Sequence, residues 1–173
     1  MDRARSVLGS ILFLFAAPGV VAGLVPYGLT RWTLAPPLLG LPPLRWLGAV
    51  LTVPALLLLL DAFARFAWEG RGTPAPIAPT ESLVASGPYR FVRNPMYVAV
   101  VALILGQGLL FASVATLAYG AIAWLTMHLF VVFYEEPRLS ADHPGYDAYR
   151  AVVPRWLPRL TPWRGEVADG PSE

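Results

Sequence analysis

Glu135 and Glu136 close an apolar run that starts at Met96 and holds no charged residue before them. Just ahead of that run stands Ser86-Gly-Pro-Tyr-Arg-Phe-Val-Arg-Asn-Pro-Met-Tyr97. A pair of carboxylates and a set of Arg, Asn and Tyr side chains are thus tied to the two ends of one hydrophobic hairpin. If the last apolar helix stops at Glu135-Glu136-Pro137, both carboxylates lie at a helix C-terminus, where the macrodipole disfavours anions. They then need cations, and Arg90, Arg93, Arg138 and Arg155 are the candidates. An interfacial ion-pair cluster would satisfy them, and so would a cationic ligand. At the other end Asn94-Pro95 reads as a helix start, because Asn caps and Pro is tolerated at the first helical position. The free N–H groups of such a first turn favour an anion, and Arg90 and Arg93 add to that field. A simple cap is the plainer use of Asn94. Tyr89 and Tyr97 suit stacking on a flat heterocycle or anchoring at a membrane interface. An anion cradle and a carboxylate pair on one face would fit a zwitterionic ligand.

The elements that must position these groups are transmembrane. The chain has 173 residues, of which 14% are charged, against about a quarter in soluble domains. Its mean hydropathy is +0.56, and its apolar runs approach the length of a bilayer crossing. It contains no cysteine, which excludes disulfides and thiolate metal sites, and its two histidines, His128 and His143, are too scattered for a zinc site. No metal is expected. Every basic residue is Arg, and a pI near 9.2 is no argument for nucleic acid in a protein of this class.

Residues 7–25 read as a first span that Pro18 kinks. Residues 26–43 form a Pro-rich interfacial linker that cannot be one helix. Residues 44–68 are a second span, with Asp61, Arg65 and Glu69 spaced to share a helix face at its end. They are either a salt-bridged helix end or the lining of a polar cavity. Residues 70–79 are a loop by composition. Residues 95–111 and 112–134 make a hairpin of two spans, in which Gly106 and Gly108 allow close packing. Residues 140–153 look like a short interfacial helix with Tyr146, Tyr149, Arg150 and Val153 on one face. Val153-Pro-Arg-Trp156 and Pro158 then end the folded region, and 166–173 is a disordered tail. The expected fold is an all-α integral membrane helical bundle of about four transmembrane helices plus a short C-terminal interfacial helix. Its regions would be 1–69, with two spans and the linker; 70–160, carrying the chemistry; and 161–173, flexible. With the N-terminus in the cytoplasm, every arginine except Arg31 and Arg45 falls on the cytoplasmic side, an inside-positive pattern. Both termini and both ends of the hairpin are then cytoplasmic.

The motif Gly87-Pro-Tyr-Arg-Phe-Val-Arg-Asn-Pro-Met-Tyr97, with Glu135-Glu-Pro-Arg-Leu139, Tyr146-x-x-Tyr149 and Val153-Pro-Arg-Trp156, resembles the isoprenylcysteine carboxyl methyltransferase and phospholipid methyltransferase group of integral membrane enzymes. The resemblance covers roughly 80–158. It implies S-adenosylmethionine as methyl donor, bound on the cytosolic side. Carried over by position, Leu83, Val84, Tyr89, Asn94, Pro95, Met96, Tyr97 and Glu135 would contact it, with Glu135 facing its amino end. Arg155 or Arg93 would hold an anionic group of cofactor or substrate, and Glu136 would support them by pairing with an Arg. The group has His where this chain has Asn94, and Asn cannot take up a proton at neutral pH. Carboxylate methylation needs no base, so the change leans toward an acid such as isoprenylcysteine. The implied substrate is amphiphilic or lipid-like and enters from the bilayer. The competing readings are an NADPH-dependent membrane reductase of the sterol-reductase type and a non-catalytic membrane subunit. The residues do not determine the oligomeric state.

Overall fold

The computed structural model describes Gly9 and residues 12–69 and 83–165, with the side chains of 66–69 excepted. Arg3 and Arg5, the 70–79 loop, the Glu69 side chain and the 166–173 tail lie outside the described residues. Among those described there is no strand, and the chain is helical, as expected. Helix α1 is Leu12–Thr30, α2 is Pro42–Glu69, α3 is Pro95–Leu110, α4 is Val114–Asp142 and α5 is Tyr146–Val152. Leu12–Thr30, Pro42–Arg65 and Val114–Asp142 are long and apolar enough to cross a membrane, and Pro95–Leu110 is a shorter apolar helix. A count of about four spans fits this set.

Two boundaries differ from the sequence reading, for one physical reason. The first helix runs on to Thr30 instead of yielding to the linker at Pro26, and the last long helix runs through Glu135-Glu136-Pro137 to Asp142. In each, a π-helical stretch, Phe15–Leu24 or Val131–Glu135, ends two residues before the proline. The wider register lets Val25 N–H donate to Val20 and Glu136 N–H to Val131. The proline then falls in the first turn of a new α-helical segment, where its missing N–H is no loss. The carboxylates are therefore inside a helix, and the macrodipole argument for them does not apply.

The chain divides into two units. One comprises 14–60 and 96–127. In it, two carbonyls of α1 just before Pro26 accept side-chain donors. Gln107 Nε2 donates to Ala22 O at 2.7 Å, and Tyr119 Oη donates to Val21 O at 3.0 Å. Trp32 Nε1 donates to Gln107 Oε1 at 3.1 Å, so the buried amide is used on both sides. Gly48 and Gly106 bring α2 and α3 into backbone contact: a Cβ on Gly48 would lie 2.6 Å from Gly106 O. A Cβ on Gly108 would strike Leu117, and one on Gly120 would strike Leu105, which confirms the tight α3–α4 hairpin. Small residues serve this purpose in lipid, where helices gain little from hydrophobic association. The linker's irregular part shrinks to 31–41, with a 3₁₀ turn at Leu38–Gly40.

Of the described residues, the other unit comprises 61–69, 83–95 and 128–165, with Gly9 and 12–13. Its core is Tyr146, Tyr149 and Val153 from α5, packed by Leu83, Ala85, Leu139 and Trp163. α5 is shorter than the helix expected over 140–153, and His143 to Gly145 interrupt it. Arg150 is also off the expected face: it is exposed and pairs with Asp147 at 3.0 Å.

Candidate functional site

The motif-bearing loop of the second unit starts with a turn that only glycine makes cheaply. Gly87 has φ +50, and an added Cβ would run into the Arg65 guanidinium. Arg65 in turn bonds Asp61 at 3.1 Å and Ser86 Oγ at 3.3 Å. The charges at the end of α2 thus tie that helix to the loop. A 3₁₀ turn, Gly87–Arg90, follows and buries Tyr89.

The loop is then clamped by the C-terminal segment, which runs antiparallel to it. Arg93 N–H donates to Pro154 O at 2.9 Å, Arg159 N–H to Phe91 O at 3.0 Å, and Trp163 N–H to Arg90 O at 2.9 Å. Arg90 Nε returns a bond to Trp163 O at 2.6 Å, and Asn94 Nδ2 donates to Arg155 O at 3.2 Å. Tyr149 Oη donates to Tyr89 O at 2.6 Å. The folded region therefore does not end at Pro158. The Pro-rich composition of 154–162 hid this, because extended backbone paired with a loop has no hydrophobic period. The tryptophans at 156 and 163 were the available signal.

At the centre is Glu136, which is 7% exposed. Arg155 holds it in a fork, Nε to Oε1 at 2.6 Å and Nη2 to Oε2 at 2.7 Å. Arg93 Nη1 lies 2.9 Å from the same Oε1 and donates to Tyr146 Oη at 3.2 Å. Two guanidiniums thus meet on one carboxylate. Arg93 Nε is buried and has no acceptor in the protein, so one donor is left over. The bond to Glu136 pushes the Arg155 guanidinium further up. Burial raises the Tyr146 and Tyr149 hydroxyls above the ordinary phenol range, so both stay protonated; Tyr149 donates, and Tyr146 accepts from Arg93. Of the other two arginines proposed as partners for the carboxylates, Arg90 reaches Trp163 O, and Arg138 bonds Tyr134 Oη at 2.8 Å and Asp142 at 3.4 Å.

The remaining residues singled out in the sequence are placed as follows. Glu135 is half-buried in the π turn beside Glu136. Asn94 is half-buried and Pro95 is buried. Val84 and Tyr89 are both 6% exposed, and Leu83 packs on the tyrosine core. Met96 and Tyr97 follow in the first turn of α3 and are counted with the other unit. So Arg93 and Arg155 meet on Glu136 and Asn94 bonds the Arg155 carbonyl, while Leu83 packs on the tyrosine core. One pair was not foreseen: Trp156 Nε1 donates to His128 at 3.0 Å. A site of this make-up can hold an anionic group on the spare Arg93 donor, with a second carboxylate, Glu135, close in sequence.

The sequence profile described as "Phospholipid methyltransferase" matches residues 44–143. Two curated relatives are also similar. The cobalt-zinc-cadmium resistance protein CzcN of Cupriavidus metallidurans is 38% identical over 85 residues, which is 49% of this chain and 39% of that protein. The nickel-cobalt-cadmium resistance protein NccN of Alcaligenes xylosoxydans xylosoxydans is 36% identical over 84 residues, again 49% and 39%. The alignments thus span well under half the length of the curated relatives. The profile match takes in the Gly87–Tyr97 motif and both central carboxylates, and covers more than half of the chain. By that match this membrane chain belongs to the phospholipid methyltransferase family.

Proposed function

We propose that this protein is an S-adenosylmethionine-dependent methyltransferase of the membrane, acting on an amphiphilic or lipid-like substrate at the cytosolic face. The observation that carries the reading is the family match over 44–143, joined to the Arg93–Glu136–Arg155 cluster. Arg155 lies beyond the matched stretch, and it is the fork on Glu136 that draws it to the motif. The residues fit the cofactor. Arg93 Nε is an orphaned donor suited to its carboxylate. Glu135 suits its amino group, and Asn94 and Pro95 lie in the same unit, just before the Met96 and Tyr97 that the motif resemblance also assigns to the cofactor. When bound, the cofactor supplies an electrophilic methyl group.

The protein's own contribution is alignment and charge. Glu136 fixes two long arginine side chains, so an anionic group meets donors that are already oriented. Tyr146 and Tyr149 remain protonated and hold Arg93 and the Tyr89 backbone in place. Asn94 cannot serve as a base, which favours an acceptor that is already an anion, such as the carboxylate of a prenylated cysteine. The arginine asymmetry supports a cytosolic site and cytosolic termini.

The names of the two relatives attach metal resistance to those proteins. In this chain no group of three or more His, Cys, Asp or Glu that could hold a metal occurs among the described residues. Direct metal carriage therefore has no ligand set there.

The test is calorimetric binding of S-adenosylhomocysteine to detergent-purified protein, with NADPH titrated in parallel. Saturable binding of the former alone, lost in Glu135→Gln, is expected. Binding of NADPH alone would replace this reading with a reductase, and binding of neither by folded protein would leave a non-enzymatic membrane subunit.

A further inference from the structure

His128 is the one titratable side chain, tyrosines aside, in the charge-free 96–134 run, and the proposed reaction gives it no task. It is half-buried, and its ring is 5.8 Å from that of Trp156. The indole Nε1–H donates to His128 Nδ1 at 3.0 Å. An indole N–H can only donate, so the imidazole must present a lone pair to it. A protonated imidazole has none, and both of its nitrogens then carry hydrogen. The bond exists only with neutral His128.

Trp156 follows Arg155, which forks on Glu136 and whose carbonyl takes the Asn94 amide. On the far side, Pro154 O takes the Arg93 N–H. The indole is thus a side-chain peg on α4 for the three-residue stretch through which the C-terminal segment touches the site. We infer that His128 is a positioning residue of this site: as a neutral acceptor for Trp156 it holds the 154–156 stretch, and with it Arg155, against the motif loop. The inference rests on the reading proposed above only for what the positioned residues do.

Charged and titratable groups lie around His128 on both elements. One turn either way along its own helix are Trp124, Leu125, Val131 and Val132, none of which titrates near neutrality. Further along come Tyr134, Glu135 and Glu136. On the C-terminal segment Arg155 precedes Trp156 in the chain and is held by Glu136. Arg93 and Tyr146 belong to the Glu136 network.

The experiment is hydrogen exchange, read by mass spectrometry on the detergent-solubilised full chain and corrected for the intrinsic rate. It is run at about pH 8 and about pH 5.5, on either side of the range in which imidazoles titrate. The reporters are the amides of Arg93 and Arg159, bonded across the clamp. In the wild type, loss of one such side-chain bond should raise opening at low pH by about five- to tenfold. His128→Asn, which keeps an acceptor and does not titrate, should show protection that is the same at both values. Trp156→Phe should exchange at both values as the wild type does at low pH. S-adenosylhomocysteine affinity should fall with pH in the wild type and stay level in His128→Asn. Wild-type protection that does not change with pH, or a pH dependence that survives in His128→Asn, overturns the inference. Exchange that changes while affinity does not would also overturn the positioning role. If the exchange pattern appears but no preparation binds S-adenosylhomocysteine, the peg stands and the methyltransferase reading is what has failed.

Discussion

Replacing Glu136 with Gln should destabilise the folded protein far more than removing any exposed carboxylate. The Arg93 and Glu136 side chains are 10% and 9% exposed, so neither charge is well hydrated. Arg155 is 31% exposed, and its share must be discounted for solvent screening. Removing one partner of a buried ion pair costs about 3–5 kcal/mol, because the other charge is stranded. Gln retains one oxygen for Arg93 but turns an N–H toward Arg155, so the lower end, about 3 kcal/mol, is expected. For a chain of this size that is a fall in Tm of roughly 6–12 °C. The assay is thermal unfolding in a fixed detergent and at one scan rate, followed by tryptophan fluorescence. Asp142→Asn, which breaks an exposed Arg138 pair, is the control and should leave the transition where it is. Adding Arg93→Met to Glu136→Gln should recover part of the loss by removing the stranded cation. A fall of less than about 2 °C in the single variant would mean the pair is worth no more than a surface bridge, and the claim that Glu136 organises the site would be refuted.

Gln107→Leu strips the donor from Ala22 O in an apolar unit and should cost about 0.6–1.7 kcal/mol, read by the same melting assay. Combining it with Tyr119→Phe should cost more than either alone, since each supplies a donor to a carbonyl just before Pro26. Gly87→Ala should loosen the motif loop, because it combines a left-handed backbone with a collision against Arg65; faster proteolysis between 83 and 94 is the readout. Tyr149 gives an alkaline signature. Burial raises its folded pKa above the unfolded value near 10, so its stability contribution is whole below about pH 10 and is lost as pH rises toward the folded value. Circular dichroism against pH should show unfolding that starts above about pH 10, and Tyr149→Phe should reduce that slope while lowering stability at neutral pH through loss of the bond to Tyr89 O.

Local composition was enough for the all-helical membrane class, the α2 span, the 95 helix start and the motif itself, because those depend on residues adjacent in the chain. Apolar length, Pro-Pro pairs and Asn-Pro are read without knowing what they touch. The adjacent Glu135 and Glu136 stood out together as carboxylates needing cations, and the family resemblance set Glu136 against an arginine, though not which one. Four arginines were within reach in sequence, and only the fold assigns Arg93 and Arg155 to Glu136, Arg90 to Trp163 and Arg138 to Tyr134. The prolines misled at 26 and 137, since a proline read locally ends a helix. Whether a π-helical turn absorbs it depends on neighbours elsewhere in the chain, such as Gln107 and Tyr119 for Pro26. The clamp from Val153 to Trp163 left no periodic trace, because its backbone bonds are made to a loop some seventy residues away. His128 looked like a lone residue in an apolar run until the fold brought Trp156 to it. Residue types fixed what each group can donate, accept or carry; which group meets which was decided by long-range packing, where a burial cost is offset only by the partner that arrives.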